Sequence, residues 1–274
     1  TNAYSIAVDV MDNLYITGYF DGTVDFDPDT TSTYNLTVVQ ASDIFISKLD
    51  VDGNFIWAKQ FGGTQGGVGY AIAVDGNSNV YSTGTIGGTV DFDPGSGTLN
   101  LSLSDPFQTE IYISKLDSLG NFVWAKAMGP GQGSAIAVDN NSNVYTSGWY
   151  PLGNTPVINK HNSSGNLIWA KQLGGLNGNA IALDYSGNVY TTGSCFGTND
   201  FDPGPGVFNI TGGATGDAFI SKLDTSGSFI WAGIFIATSQ VNINSMAIDV
   251  NDNVYTTGFF DGSVDFDPAA TVFN

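Results

Sequence analysis

Positive charge is scarce in this sequence of 274 residues. It has no arginine, and its seven lysines stand against 26 acidic residues, of which only Glu110 is a glutamate, so the net charge is −19. Nucleic acids and anionic membrane surfaces are bound through clustered lysine and arginine, so the sequence argues against both as partners. The longest apolar run, residues 229–237, is about half of the roughly 20 residues that a membrane helix needs, and it predicts no membrane insertion.

Cysteine and histidine are almost absent. Cys195 is the one cysteine, which excludes an internal disulfide framework and a cysteine-rich metal site. His161 is the one histidine, and we predict that both residues are buried structural side chains. Without an asymmetric set of reacting groups, the sequence predicts a protein that is not an enzyme. Glycine is abundant instead, with 36 residues, and the composition favours a turn-rich, all-β fold.

One segment occurs five times along the chain with small variations. Its central aspartates are separated by 66, 64, 45 and 65 residues, and they are Asp9, Asp75, Asp139, Asp184 and Asp249. A second segment, of the type DIFISKLDVDGNFIWAKQFGG, occurs four times. Each repeat holds four short runs that alternate apolar and polar residues, as half-buried strands do, with turn residues between them. Four strands in a core repeat of about 45 residues are typical of a β-propeller blade.

The repeats divide the chain into five units of a single β-propeller region. The units are residues 1–66, 67–131, 132–176, 177–241 and 242–274, and the last of them stops after its second strand. We therefore predict four complete four-stranded antiparallel blades and half of a fifth. This arrangement indicates a fragment of a larger propeller, or missing strands that are supplied from elsewhere.

Several residue types recur at one position in each blade, which favours a structural role for them. A tyrosine recurs in the second strand, first as Tyr15, and a tryptophan recurs in the fourth strand, first as Trp57. Large flat side chains are well suited to fill the space between neighbouring sheets. All seven lysines also lie at repeated positions, where we expect them to pair with aspartate and to guard strand edges.

Four of the five units carry an insertion with the motif Asp-Phe-Asp-Pro. Two aspartates in an Asp-x-Asp strand lie on one face, about 7 Å apart, while the phenylalanine points to the other face, onto the blade. A Ca²⁺ ion would relieve their repulsion, with backbone carbonyls or water completing its shell. The alternative is a solvated acidic turn on a projecting hairpin. The candidate calcium ligands are Asp25, Asp27, Asp91, Asp93, Asp200, Asp202, Asp265 and Asp267.

The third unit lacks the insertion and has Trp149-Tyr150-Pro151 in its place. Exposed aromatic side chains beside polar loops stack on sugar rings or on a protein partner. Trp149 and Tyr150 are therefore candidate ligand-binding residues. The alternative is that the two aromatic side chains cover the shorter loop.

The pattern AIAVDxxxNVYxTG…DxFISKLDxxGNFIWAKQFGG resembles the SBBP-type β-propeller repeat, named for seven-bladed propellers, over nearly the whole chain. The DFDPG insertion is similar to the version found in secreted or surface proteins of Bacteroidetes-type bacteria, which often use type IX secretion. The resemblance implies an extracellular or cell-surface location but no uniform activity. We expect a non-catalytic extracellular binding or scaffold module that mediates adhesion or protein–protein interaction, with a protein or a glycan at the cell surface as its partner. The alternatives are a carbohydrate-binding propeller and, third, a glycan-acting enzyme.

Overall fold

The computed structural model describes residues 1–105, 107–150 and 156–268, and over this part of the chain the regular structure consists of β-strands alone. The predicted all-β fold is confirmed. None of the described residues belongs to a helix that is long and apolar enough to span a membrane. The chain forms two compact units, one of residues 1–144 with 162–166, and one of residues 145–161 with the residues from 167 onward.

The first unit contains two complete blades, each with four antiparallel strands and one small inserted hairpin. The strands of the first blade and its hairpin are β1 (Asn2–Val8), β2 (Leu14–Phe20), β3 (Thr23–Asp25), β4 (Asn35–Thr37), β5 (Asp43–Leu49) and β6 (Phe55–Gly63). Those of the second are β7 (Gly67–Val74), β8 (Val80–Ile86), β9 (Thr89–Asp91), β10 (Asn100–Ser102), β11 (Glu110–Leu116) and β12 (Phe122–Pro130). The first strand of the third repeat follows as β13 (Gln132–Val138).

The second unit holds the remaining strands of the third repeat, the whole fourth blade and the half blade. These strands are β14 (Val144–Trp149), β15 (Pro156–His161), β16 (Leu167–Gln172), β17 (Leu176–Leu183), β18 (Val189–Asp200), β19 (Asn209–Leu223), β20 (Phe229–Phe235), β21 (Val241–Ile248) and β22 (Val254–Phe260). In the fourth blade the inserted hairpin is a direct extension of β18 and β19. The pair β21–β22 is a two-stranded sheet, as predicted for a half blade. The predicted second strand of the last hairpin, residues 272–274, lies outside the described residues.

Residues 50–54 form the hairpin turn between β5 and β6, and this turn shows why the repeat folds as a meander. Asp50 accepts hydrogen bonds at Oδ1 from the backbone N–H groups of Asp52 and Asn54, at 2.9 and 2.8 Å. Gly53 adopts a φ of 83°, a left-handed conformation that residues with a Cβ rarely take. The side chain of Asp50 thus satisfies the turn backbone, and the glycine supplies the reversal of the chain.

The recurring aromatic residues belong to the packed core, as the sequence predicts, and Tyr15 and Trp57 share a cluster with residues of the next blade. Tyr15 is fully buried, and its ring meets the Trp57 ring edge-on with centroids 6.1 Å apart. Tyr81 is also fully buried and meets Trp124 in the same way at 6.2 Å. The corresponding pairs of the third and fourth repeats have centroid distances of 6.1 Å. Their recurrence with one geometry makes the tyrosine–tryptophan pair part of the core.

Candidate functional site

The inserted hairpin of the second repeat is built into the sheet of the first blade. Besides pairing with β10, strand β9 pairs with the end of β6, where Gly62 lies opposite Asp91. Phe92 is fully buried between Phe61 and Tyr112, with ring centroids 4.8 Å from each. The predicted orientation of the phenylalanine, away from the aspartates and onto the blade, is confirmed. The hairpin therefore joins two successive blades.

The other Asp-Phe-Asp-Pro segments follow the same plan. Phe201 is fully buried, and its ring lies 4.9 Å from that of Phe219. Phe26 lies between Phe20 and Phe45, at 5.3 and 4.9 Å. In the half blade, the corresponding Phe266 is 49% exposed. The motif thus supplies an apolar anchor to each hairpin.

The paired aspartates hold the hairpin turns through backbone hydrogen bonds. Asp91 accepts at Oδ1 from the N–H groups of Asp93 and Leu99, at 3.0 and 2.8 Å, and so ties the two arms together. Asp93 accepts from the N–H of Gly95 at 2.8 Å. Equivalent bonds are made in the other insertions by Asp25, Asp200, Asp202 and Asp265. One carboxylate oxygen of each of these residues is therefore committed to the turn.

The calcium assignment of these eight aspartates stays a prediction. Within the described ranges, no group of three or more histidine, cysteine, aspartate or glutamate side chains is placed to hold a metal ion. Each hairpin brings a pair of carboxylates, whereas Ca²⁺ takes 6–8 oxygen ligands. A bound calcium would therefore draw most of its ligands from backbone carbonyls and water.

Three buried carboxylates that the sequence analysis missed hold the insertions against the blades. Asp43 is fully buried and accepts from the N–H of Val39 at 2.9 Å, from the Gln60 amide at 2.7 Å and from the N–H of Gly63 at 3.3 Å. Burial raises the pKa of the Asp43 carboxyl above its ordinary value, against the effect of these hydrogen bonds. Asp43 thereby connects the return of the hairpin to the end of β6.

The same position is acidic in the second and fourth repeats, which also carry an insertion, and it is not acidic in the third, which has none. Glu110 accepts from the N–H and hydroxyl of Ser104, and from the N–H of Gly129 at 2.8 Å. Asp217 accepts from the N–H groups of Gly213 and Ala237, at 2.6 and 2.9 Å. The third repeat has Thr155 at this position, and Thr155 lies outside the described residues. In the sequence, an acidic residue at this position thus occurs together with an insertion, and that correlation could have revealed the three buried carboxylates.

A second recurring cluster lies at the first turn of each blade. In the first blade, Asp9 accepts from the Tyr15 hydroxyl at 3.0 Å, and the Lys48 ammonium lies 3.8 Å from the Asp9 carboxylate and 4.8 Å from the centre of the Tyr15 ring. Lys48 and the Trp57 indole both donate to the carbonyl of Ser118 in the second blade, at 3.5 and 3.4 Å. The predicted pairing of lysine with aspartate is confirmed here, and the cluster also joins successive blades.

In the fourth blade the equivalent lysine, Lys222, lies closer to its aspartate than Lys48 does in the first. The Lys222 ammonium lies 2.9 Å from the Asp184 carboxylate and 4.7 Å from the centre of the Tyr190 ring. Burial lowers the pKa of the Lys222 ammonium, but hydrogen bonds with Tyr190 and Asp184 outweigh burial and raise it above its ordinary value. Because this cluster recurs and its aspartate, tyrosine and lysine side chains contact one another, we assign it a structural role.

The open space at the surface lies beside the inserted hairpins. A cleft of about 280 Å³ in the first unit is lined by side chains that include Tyr34, Lys59, Gln60, Asp91 and Asp93. A neighbouring cleft of about 270 Å³ shares Lys59 and Asp93 with it and extends to the next turn. In the second unit, a cleft of about 390 Å³ has the equivalent residues in its lining, among them Gln172, Asp200 and Asp202. These clefts are the candidate binding sites of the chain.

The other sequence candidates fall in two groups. Trp149 and Tyr150 are half-buried, and the Tyr150 hydroxyl lies 3.3 Å from the Asn159 amide that donates to it. Their ligand role stays a prediction, and Pro151 lies outside the described residues. His161 and Cys195 are buried, as predicted, and burial lowers the pKa of His161 to about 4. His161 is therefore neutral at physiological pH.

Comparison with known proteins supports the repeat. Residues 56–90 and 168–201 match the family model of the SBBP β-propeller repeat, so the expected resemblance is confirmed. An uncharacterized WD repeat-containing protein of Acanthamoeba polyphaga mimivirus is 33% identical over 155 residues, which are 53% of this chain and 11% of that protein. The chain thus spans about a tenth of the length of this relative. The Bacteroidetes-type origin and the type IX export route stay predictions.

Solved structures with a similar fold include two enzymes. Hydrazine synthase of Kuenenia stuttgartiensis matches with a TM-score of 0.52 and 11% identity, over 93% of this chain and 73% of that one. A gluconolactonase of Xanthomonas campestris matches with a TM-score of 0.45 and 12% identity, over 93% and 82%. The prediction that this chain is not an enzyme is therefore wrong as an exclusion, because the fold that it shares with hydrazine synthase occurs in a protein that catalyses a reaction. At these identities the likeness shows the fold alone.

Proposed function

We propose that this chain, which carries SBBP β-propeller repeats, is a binding or scaffold module of an exported bacterial surface protein that mediates adhesion or protein–protein interaction. The observation that carries the proposal is the division of roles among its residues. The residues that recur in each blade are used inside the fold, as the contacts of Asp9, Tyr15, Lys48 and Trp57 illustrate. The hairpin turns, which the third repeat lacks, and the clefts beside them lie instead at the surface.

The hairpin turns give such a module an acidic contact surface. Asp27 and Asp29 lie together in the exposed turn of the first hairpin, where Asp27 accepts from the Ser32 hydroxyl at 2.7 Å and Asp29 from the Thr31 hydroxyl. With a net charge of −19, the chain favours a protein partner that is neutral or basic at the point of contact.

The test measures how well beads coated with the chain are retained on a lawn of a Bacteroidetes-type bacterium. We expect retention above that of albumin-coated beads. Changing Asp27, Asp93 and Asp202 to Asn keeps an acceptor oxygen for each turn but removes three charges, and it should lower retention. The matched control changes Asp50, Asp117 and Asp224 to Asn, which removes the same charge from the blade turns and should leave retention unchanged. Retention no greater than that of albumin would contradict the proposal.

A glycan-binding propeller is the second candidate, and the composition of the clefts favours it. The cleft beside the second hairpin combines an aromatic ring with ammonium, amide and carboxylate groups. Trp149 and Tyr150 offer a further pair of aromatic side chains. Specific sugar binding that is lost on Trp149→Ala would place the glycan at the third repeat, and sugar binding that survives this change would place it elsewhere.

A further inference from the structure

Two clefts of the chain are built from the same sequence. In the first unit, the end of a fourth strand, Lys59-Gln60-Phe61-Gly62, faces the hairpin residues 91–95. In the second unit, Lys171-Gln172-Leu173-Gly174 takes the place of the first segment and residues 200–204 the place of the second. The glutamine, the first glycine of the Gly-Gly pair (Gly62 or Gly174) and both aspartates line the cleft in each case. This recurrence indicates that the repeat sequence itself specifies the cleft.

Glycine forms the floor of each cleft because the hairpin comes very close there. A Cβ atom on Gly62 would lie 2.5 Å from a methyl of Val39 and 2.8 Å from Oδ2 of Asp43, both in the first repeat itself, and a Cβ atom on the adjacent Gly63 would lie 2.6 Å from a methyl of Val90 in the facing hairpin. A Cβ atom on Gly174 would lie 2.5 Å from the carbonyl oxygen of Asp200. These distances are well inside van der Waals contact, so each hairpin can lie against its strand only where the side chain is absent.

The groups around the first cleft are held in position before any ligand arrives. Lys59 is half-buried, and a Cβ on Gly120 would lie 2.7 Å from its Cε, so the lysine stem rests on the next turn. Within the described residues, its ammonium forms no ion pair. The Tyr34 ring is 39% exposed and packs on Phe55 with centroids 4.7 Å apart. The cleft thus offers an aromatic ring that packs on Phe55 and an ammonium whose charge also helps to lower the pKa of Asp117 in the next turn.

The paired aspartates add hydrogen-bond acceptors to each cleft. Asp91 and Asp93 each use Oδ1 for backbone N–H groups of the turn. Among the residues that the structure describes, none donates a hydrogen bond to the Oδ2 atom of Asp91 or of Asp93. Asp200 and Asp202 repeat this arrangement in the second unit. Each cleft therefore has donors and acceptors next to each other, which suits a ligand whose groups both donate and accept.

We infer that these clefts bind the sugar units of a neutral glycan; the inference rests on the second candidate function and locates its site. Adjacent hydroxyl groups match alternating donors and acceptors, and a sugar face stacks on an aromatic ring such as Tyr34. Anionic polymers are disfavoured by the net charge of −19, and an apolar ligand by the polar lining. The two clefts share a glutamine, a glycine and an aspartate pair, although Tyr34 and Lys59 line only the first of them. Two such clefts in one chain suit a ligand that itself repeats, because linked sites raise the overall affinity.

The test uses the full chain and three neutral polysaccharides, dextran, laminarin and yeast mannan, in affinity gel electrophoresis, with polygalacturonate as the anionic comparison. We expect at least one neutral polysaccharide to slow migration, and polygalacturonate to have no effect. Tyr34→Ala and Lys59→Met, which keeps the lysine stem, should each weaken binding by about tenfold at the first cleft. Tyr185→Ala is the matched control, because Tyr185 is a tyrosine that is 83% exposed in a blade turn, and it should bind as the parent chain does.

The outcomes of this test distinguish a wrong cleft assignment from a chain that does not bind glycans. If a neutral polysaccharide binds and only Trp149→Ala removes binding, the chain binds glycans but the cleft assignment is wrong. If Tyr185→Ala weakens binding as much as Tyr34→Ala does, the assignment is also wrong. If none of the three neutral polysaccharides binds, both the inference and the glycan-binding candidate are overturned, while the bead experiment still decides the adhesion proposal.

Discussion

The second and fifth repeats share the sequence pattern of their first two strands but have very different surroundings. Tyr81 of the second repeat is fully buried, whereas Tyr255, its equivalent in the fifth, is 59% exposed. The fully buried hairpin anchor Phe92 likewise has a half-exposed counterpart in Phe266. In the second repeat a third and a fourth strand follow, whereas the described residues of the fifth form the two-stranded sheet of β21 and β22. Burial in this fold is thus a property of neighbouring strands rather than of the repeat's own residues.

Completing the fifth repeat should remove this difference, and we expect it to have the largest effect. Residues 272–274 match residues 207–209 letter for letter, so a copy of residues 210–235 appended after Asn274 would supply the third and fourth strands in the natural spacing. Burying large side chains such as Tyr255 and Phe259 contributes about 1.5–3 kcal/mol each, so the melting temperature should rise clearly in calorimetry. A control extension with its apolar residues changed to serine should give no rise, and equal melting of parent and extended chain would contradict the idea.

Phe92→Ala should destabilise the chain by about 3–5 kcal/mol, because it leaves a cavity among Phe61 and Tyr112. Phe266→Ala is the matched change in the half blade, where the ring is half-exposed, and it should cost much less. Chemical denaturation of both variants measures the difference. Similar losses from the two variants would mean that the hairpin does not anchor the second blade as the structure indicates.

Calcium offers a test of the paired aspartates themselves. An ion that binds only the folded chain stabilises it by about 2.7 kcal/mol at one hundred times the dissociation constant. If the hairpins are calcium sites, thermal unfolding should shift upward with Ca²⁺ and return with excess chelator, and Asp25→Asn with Asp27→Asn should reduce the shift. No shift in the parent chain would leave the pairs as turn-forming residues, the role in which their backbone hydrogen bonds already place them.

Tyr81→Phe removes a hydroxyl that donates to Asp75 at 2.9 Å in a buried site, and Tyr255→Phe removes one that donates to Asp249 at 3.2 Å in an exposed site. A hydrogen bond to a charged group contributes about 1.5–3 kcal/mol when it is protected from water, so the first change should be clearly destabilising and the second within about 0.5 kcal/mol of the parent. Urea unfolding gives both values. An equal effect would show that the exposed repeat is protected in solution.

Two carboxylates should respond to acid in opposite directions, with the smallest effects of the series. Burial raises the pKa of Asp75, but hydrogen bonds from Asn79, Ser142 and other groups outweigh it and lower the pKa. Its stabilising contribution is therefore present above about pH 4 and is lost as the pH falls through the lowered value. The raised pKa of Asp43 has the opposite sign, so acidification towards about pH 4 adds stability through this group.

The measurement compares unfolding free energies of Asp75→Asn and Asp43→Asn with the parent between pH 7 and pH 3. The advantage of the parent over Asp75→Asn should shrink below about pH 4, and its advantage over Asp43→Asn should grow as the pH falls towards about 4. Parallel curves for the parent and both variants would contradict the assigned pKa directions.

Local pattern was enough to predict the strands, the blade turns and the side to which Phe92 points, because these depend on alternation and turn residues close in sequence. It did not predict that β9 pairs with β6, because the partner strand lies in the preceding repeat and periodicity says nothing about contacts between repeats. The carboxylates of Asp91 and Asp93 were treated as a repelling pair for the same reason. The backbone N–H groups that stabilise them become visible only when the hairpin is folded.

The pairing of β9 with β6 also has a mechanical meaning. Gly62 and Gly63 place main-chain hydrogen bonds between two successive blades of the first unit, in addition to side-chain packing. A pulling force applied along the chain must therefore break backbone bonds before these blades separate, and it must also withdraw Phe92 from its site between Phe61 and Tyr112. The hairpin thus holds the first two blades together under force, and single-molecule extension should record these blades unfolding in one step.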